Sequence, residues 1–335
     1  MRRTCCCALA CALVVSWGAR AGAQNPDLML TQAQRDSVLA KYNNRFPIWG
    51  RKAIERGFDL PYPVGLSINL VYANQNIDIT DLGLSTGDNP TQPIEIVQFK
   101  EVKAPVYTGN LRADLWVLPF LNVYALGGGA YVTTDVTLSE PVEFNTVVKQ
   151  NGYYFGLGTT ATMGIQHNWL AFDINWSWTQ TEKLDLPVKG RIFGIRYGRA
   201  ERLGGSIEKR LAYWIGTMQQ RFASETHGSI ALDEVIDGGA ERQLQSKLVG
   251  YQAAPWYVQA SPERKQAIDS MATRILQGNL DGLTINYALD KATADPWNML
   301  AGISYDTSKR WQWRAEFGFI GRVQVLLMSN YRFNW

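Results

Sequence analysis

The sequence predicts an all-β protein: an antiparallel transmembrane β-barrel of about 12 strands, with short helical segments near the N-terminus and in one long connection. Three observations predict it. Trp311, Trp313, Ala315, Phe317 and Phe319 alternate with Gln312, Arg314, Glu316 and Gly318, and Val323 to Trp335 repeats the pattern. A period of two places successive side chains on opposite faces of a strand, here aromatic on one and charged on the other. No apolar run after residue 23 is long enough for a transmembrane helix, so crossing a bilayer requires a closed sheet that satisfies every backbone group. The 12 tryptophans and 15 tyrosines suit membrane interfaces, where amphipathic rings collect.

The elements follow in chain order. Arg2 and Arg3, an apolar stretch over 5–17 and the small residues Ala21, Gly22 and Ala23 before Gln24 read as a secretory signal peptide over 1–23. A lipoprotein reading at Cys11 has too little apolar sequence before it. All 4 cysteines (Cys5, Cys6, Cys7, Cys11) and three arginines (Arg2, Arg3, Arg20) lie in that segment. Its removal leaves no disulfide or thiolate site and turns 33 basic against 30 acidic residues into a balance. Such a balance gives no reason to expect nucleic acid or an anionic surface as partner.

Residues 24–60 form a periplasmic or plug segment. Thr31 caps a helix over 32–42, and Pro47 starts a second helical stretch over 48–56, stopped by Gly57. The barrel is expected over 61–335. Strands are expected near 62–72, 107–117, 121–135, 153–165, 170–179, 193–197, 211–217, 229–236, 284–289, 298–306, 311–319 and 323–335. Thr86-Gly87-Asp88-Asn89-Pro90 marks a loop within 74–104, and 137–150 reads as another. A helical insert is expected over about 237–279, with Ser261 as cap, Pro262 in the first turn, Ile268, Met271 and Ile275 at helical spacing and Gly278 as stop. Counting strands from the periplasm puts the turns at Pro119, His167 and Thr307-Ser308 there, with loops 74–104 and 137–150 outside. The insert then falls in the periplasm or the lumen.

The ending Tyr331-Arg332-Phe333-Asn334-Trp335 resembles that of bacterial outer-membrane β-barrel proteins, a general porin-like class. The resemblance implies that Tyr331, Phe333 and Trp335 act as the signal read by the barrel-assembly machinery, with Trp in place of the usual terminal Phe. It also implies residence in the cell outer membrane of a Gram-negative cell, with outer-membrane lipids as partners.

In a barrel the polar alternates face the lumen. That set is Arg112, Asp114, Asp173, Asn175, Arg196, Arg314, Glu316, Arg322, Asn330 and Arg332. Mixed charge in a watery interior suits a pore lining, so a passive channel for small solutes is the first functional expectation. The competing expectation is a non-conducting structural barrel braced by internal salt bridges. His227-Gly228-Ser229 puts an imidazole and a hydroxyl on one face of a strand, and resembles the His and Ser of outer-membrane phospholipases, which work on the lipid-facing side of the barrel. That resemblance would make Ser229 the nucleophile and His227 the base of a lipid hydrolase. Gly127-Gly128-Gly129 precedes no helical pattern, so a phosphate cradle is not expected, and two distant histidines make a zinc site improbable. No cofactor is expected.

Overall fold

The structure, a computed structural model, describes residues 28–86, 92–93, 98–140, 144–165, 167–182, 184, 186–204, 206, 208–222, 225–231, 238–278 and 284–334. The expected signal peptide and Trp335 lie outside them. Two helices come first, α1 (Gln32–Lys41) and α2 (Gly50–Glu55). Thr31 and Gln34 close a capping box at α1: Gln34 N–H donates to Thr31 Oγ1, and Thr31 N–H donates to Gln34 Oε1 at 2.9 Å. Gly57 follows α2 at φ +94°, a conformation that favours glycine.

Thirteen strands follow: β1 (Val64–Thr86), β2 (Gln92–Pro93), β3 (Gln98–Leu118), β4 (Leu121–Glu140), β5 (Phe144–Ile165), β6 (Asn168–Thr181), β7 (Val188–Arg202), β8 (Arg210–Phe222), β9 (Glu225–Ala231), β10 (Thr284–Thr293), β11 (Trp297–Asp306), β12 (Trp311–Ile320) and β13 (Val323–Phe333). Between β9 and β10 stand α3 (Gly238–Leu248), a 3₁₀ turn (Tyr251–Ala253), α4 (Pro255–Val258) and α5 (Pro262–Leu276).

Ten strands close the ring, in the order β1, β3, β4, β5, β6, β7, β8, β11, β12, β13. Closure is the antiparallel pairing of β1 with β13, from Val64 opposite Phe333 to Asn74 opposite Val323. In place of the expected barrel of about 12 strands, the described residues form a ring of ten, with β9 and β10 beside it. β9 and β10 pair with each other, and β10 lies along the outer half of β1, from Ile77 opposite Thr293 to Thr86 opposite Ile285. They alternate as ring strands do, and periodicity does not record which edge a strand joins. The insert consequently leaves the ring after β8 and returns at β11, at the rim away from where β1 starts and β13 ends. The expected periplasmic placement came from counting β9 into the ring, which reversed the parity.

The strands are unequal. β1 has 23 residues and β5 has 22, whereas β12 has 10 and β13 has 11. Most of the expected loop over 74–104 is therefore strand, and so is most of 137–150. At about 3.3 Å per residue β1 is roughly twice as long as its neighbour β13, so its outer half projects beyond the ring. Without β10 that half would be a bare edge, and exposed edges pair with other chains. β9 then reaches Leu184, in the β6–β7 connection, through a bridge from Gly228. Above the ring's short strands, the β10–β9 hairpin thus joins the long wall of β1, β3, β4 and β5 to the opposite side.

The faces run inside out. Leu66, Ile68 and Leu70 on β1 are 47%, 57% and 57% exposed, while the intervening Ser67 and Asn69 are buried. Around the ring Leu111, Phe155, Ile215, Ile303 and Phe317 are likewise exposed, and Asp114, Asn122 and Glu316 buried. Aromatic clusters border this band. Trp311, Tyr331 and Phe333 stack edge to face at the short-turn rim, and Tyr72 meets Tyr107 at 4.9 Å on the other border. Beyond Tyr72 the outward residues become polar, as at Asn76 and Asp78 on β1, Glu101 and Lys103 on β3, and Lys149 on β5. The band covers about nine to eleven residues per strand, the length needed to cross hydrocarbon at the usual tilt. No helix among the described residues is long and apolar enough to cross a membrane.

Two outcomes are expected. Ile68→Arg, in the middle of the band, should cost about 2–4 kcal/mol in equilibrium unfolding from lipid vesicles, whereas Asn76→Arg above it should cost about 0–1 kcal/mol. The second concerns Asp269 on α5, which accepts hydroxyl hydrogen bonds from Tyr251 at 2.5 Å and Tyr257 at 2.9 Å. The Tyr251 bond above all holds its carboxyl below the usual carboxylate range. A depressed folded pKa contributes stability that is present above the unfolded value of about 3.9 and lost as pH falls below it. Amide exchange in residues 251–276 should accelerate on acidification through that window, and Asp269→Asn should remove the pH dependence.

Candidate functional site

The inward faces converge on a cavity of about 600 Å³ inside the ring. Its lining has two storeys. Nearer the short-turn rim lie Arg112 and Asp114 on β3, Asp173 on β6, Arg196 on β7, Arg314 and Glu316 on β12 and Arg332 on β13. Towards the other rim the inward positions are mixed, with Ile77, Ala104, Val132, Ile192, Met218 and Phe222 beside Gln75, Gln150, Thr181 and Gln220.

The charged storey is cross-linked. Glu316, 3% exposed, accepts from Arg196 Nε at 2.7 Å, Arg196 Nη2 at 2.8 Å, Arg314 Nη2 at 2.6 Å and the indole Nε1 of Trp214 at 2.8 Å. Arg196 also pairs with Asp173. The Arg314 guanidinium lies 4.7 Å from the centroid of the Trp214 ring. A second group forms on β3, β4 and β13. Arg332 Nη2 and Asn122 Nδ2 donate to Asp114 Oδ1 at 2.6 and 2.7 Å, and Arg112 donates to Asn122 Oδ1 at 3.2 Å. Arg112 also sits 3.8 Å over the Tyr124 ring. A buried carboxylate with this many donors has its lone pairs satisfied, the condition under which a buried charge is tolerated.

Large inward side chains need small neighbours, and register supplies them. Trp214 faces Gly198 on β7 and Gly302 on β11, and Tyr124 faces Gly158 on β5. A Cβ on Gly302 would run into the Trp214 indole, and one on Gly128 into the Gly109 carbonyl.

The N-terminal segment lies across the short-turn mouth. Arg202 holds the carbonyls of Leu28 and Met29 at 2.8 and 3.3 Å, Ile48 N–H donates to Val117 O at 2.8 Å, and Lys309 donates to Asp59 at 3.2 Å. Arg332 Nη1 binds Tyr62 O at 2.8 Å. The described part of residues 24–60 thus touches the short-turn rim at several strands.

Nine of the ten residues assigned to the lumenal face line the cavity: Arg112, Asp114, Asp173, Asn175, Arg196, Arg314, Glu316, Asn330 and Arg332. The tenth, Arg322, stands in the β12–β13 turn, 4% exposed, with Nε donating to Gln324 Oε1 at 3.3 Å. Trp214, Asn122 and Tyr124 escaped the sequence reading. For Trp214 and Tyr124 the one signal was the glycines opposite them, which mean nothing until register is known. His227 and Ser229 lie on β9, opposite Ala288 and Asn286 of β10. They are off the ring and not in the lipid-facing wall where the phospholipase resemblance put them, because among the described residues the strand partner of β9 is β10, which joins β1 above the band. Tyr331 and Phe333 sit on β13 in the rim aromatic cluster. Among the described residues no group of three His, Cys, Asp or Glu could hold a metal ion.

Solved structures similar to this chain include the outer membrane protein OprG from Pseudomonas aeruginosa, 8% identical, with the match covering 82% of this chain and 98% of that one at a TM-score of 0.33. The translocator domain of the autotransporter NalP from Neisseria meningitidis is 8% identical, covering 84% and 92% at 0.34. The toluene transporter TodX from Pseudomonas putida is 9% identical, covering 92% and 95% at 0.25. No protein-family model and no curated protein matches the chain.

Glu316→Ala would leave Arg196 and Arg314 buried without their main acceptor and should cost about 3–5 kcal/mol. Unfolding in lipid vesicles measures it, and Glu316→Gln, which keeps an acceptor oxygen, should lose less.

Proposed function

We propose that the protein is an outer-membrane β-barrel that admits small solutes into its lumen as a passive channel. The observation that carries this reading is the pairing of an apolar outer band with a cavity inside a closed ring. A wall of this kind has hydrocarbon outside and room for solute inside. The even number of ring strands returns both ends of the ring to one rim, with the short turns, as in barrels whose termini face the periplasm. In this orientation outer-membrane lipids contact the Leu66–Ile68–Leu70 face. The barrel-assembly machinery would read the last strand, through Tyr331 and Phe333. The chain would reach that membrane as a secreted precursor.

The charged storey and the segment over the short-turn mouth narrow the path. They favour a second reading, a barrel that does not conduct, and the two separate in planar-bilayer recording. The purified mature protein should pass small, interrupted currents. Deleting residues 24–60 should raise the conductance severalfold, because it uncovers the mouth without removing a ring strand. Silence from both proteins at every voltage would sink the channel and leave the structural barrel.

A further inference from the structure

At the short-turn rim the segment before the ring turns two apolar side chains outward. Pro47 and Gly50, both buried, close a turn in which Gly50 N–H donates to Pro47 O at 2.8 Å. Between them Ile48 and Trp49 are 47% and 57% exposed. Trp49 stands at the third position of that turn, at φ +68° and ψ 11°. A positive φ there favours glycine or asparagine, because a Cβ crowds the carbonyl that follows. The indole is therefore strained, and no side-chain cap of α2 offsets the strain. Backbone strain of this kind collects where the shape it imposes has a use, and an indole spread in water has none.

The position of the turn decides what it meets. Ile48 N–H donates to Val117 O at 2.8 Å, two positions past Leu115, the partner of Val64 at the start of β1. Leu111, opposite Ile68 in the middle of the apolar band, lies six residues back along β3. Six residues at about 3.3 Å, tilted by about 45°, descend roughly 14 Å, against about 15 Å for half the hydrocarbon thickness. Ile48 and Trp49 thus stand at the hydrocarbon border, where tryptophan collects. Trp311, Tyr331 and Phe333 mark that border on β12 and β13. The outward residues of β1 and β3 near it, Val64, Leu66, Leu115 and Val117, include no ring. Charge points the same way: residues 44–57 carry exposed Arg45, Arg51, Lys52 and Arg56 against Glu55 alone. Cations flanking an apolar tip attract the phosphates of a lipid surface.

We infer that this turn is a membrane anchor. Ile48 and Trp49 enter the headgroup boundary of the leaflet at the short-turn rim, and the four cations lie on phospholipid phosphates. The segment across the mouth is then held by lipid as well as by the ring, which it meets at Val117 and Arg202. The anchor rests on the outer band being lipid-facing and is independent of conduction.

All 4 cysteines lie at or before Cys11, so the chain from Gln24 accepts a nitroxide label at a single introduced cysteine. Labels at Ile48→Cys, Ile68→Cys and Asn76→Cys are compared by paramagnetic resonance in vesicles of mixed phosphatidylcholine and phosphatidylglycerol. The measurement is collision with oxygen against collision with a water-soluble nickel chelate. The Ile48 label should favour oxygen severalfold more than the Asn76 label and sit shallower than the Ile68 label. Amide exchange supplies an independent readout. Trp49→Asn relieves the strained φ, so a turn facing only water should exchange no faster over 44–57. An anchored turn should exchange about tenfold faster in that variant, as loss of one buried apolar side chain allows. Leaving out phosphatidylglycerol should also speed exchange in the parent protein, and indifference to it would strike out the phosphate pairing. Unchanged or slower exchange in Trp49→Asn would overturn the anchor. An Ile48 label shielded from both reagents marks a protein partner or a second copy, and would overturn it too. Nickel access at Ile48 beside a shielded Ile68 would sink the anchor and leave the barrel standing. Nickel access at both would sink the two together.

Discussion

Inside hydrocarbon no water is available to an unpaired amide, so a sheet survives there only when its first and last strands find each other. Here that requirement falls on β1 and β13, which pair from Val64 opposite Phe333 to Asn74 opposite Val323. The run is about as long as a bilayer needs, and β13 ends where the apolar band ends. Everything else in the molecule is built around that seam. The side chains that meet lipid must be apolar on alternate positions, and those between them must find partners across a narrow interior.

The interior resolves that second demand with charge instead of oil. A polar lumen lets the same strand present Leu and Ile outward without becoming apolar on both faces. The buried arginines and carboxylates then have to meet, and they do so across strands distant in sequence: Arg196 with Glu316, and Arg332 with Asp114. Cross-strand pairs of this kind brace the ring from within. Some aromatic side chains fill the remaining width where a glycine stands opposite, as Gly302 does for Trp214.

Above the bilayer a different condition applies. Water reaches the outer face, so the projecting half of β1 and its neighbours carry polar residues outward, such as Asn76, Asp78, Glu101 and Lys103, within a few residues of Tyr72. The same projection bares an edge of β1, and the hairpin of β9 and β10 covers it. The long connection between β8 and β11 thus carries part of the wall, in β9 and β10.

The alternation of residues, with period two and aromatics on one side, was enough to read the barrel class and the two faces of its strands, because side-chain direction along a strand follows from local geometry. Helix starts were equally plain: the cap Thr31, and the helix begun at Pro262. The number of strands in the ring, the side on which the insert emerges, the partners of each buried charge and the glycine opposite each inward ring were not legible. Each depends on which edges pair and in what register, and hydrogen bonds between strands carry that information, not the order of residues along any one of them.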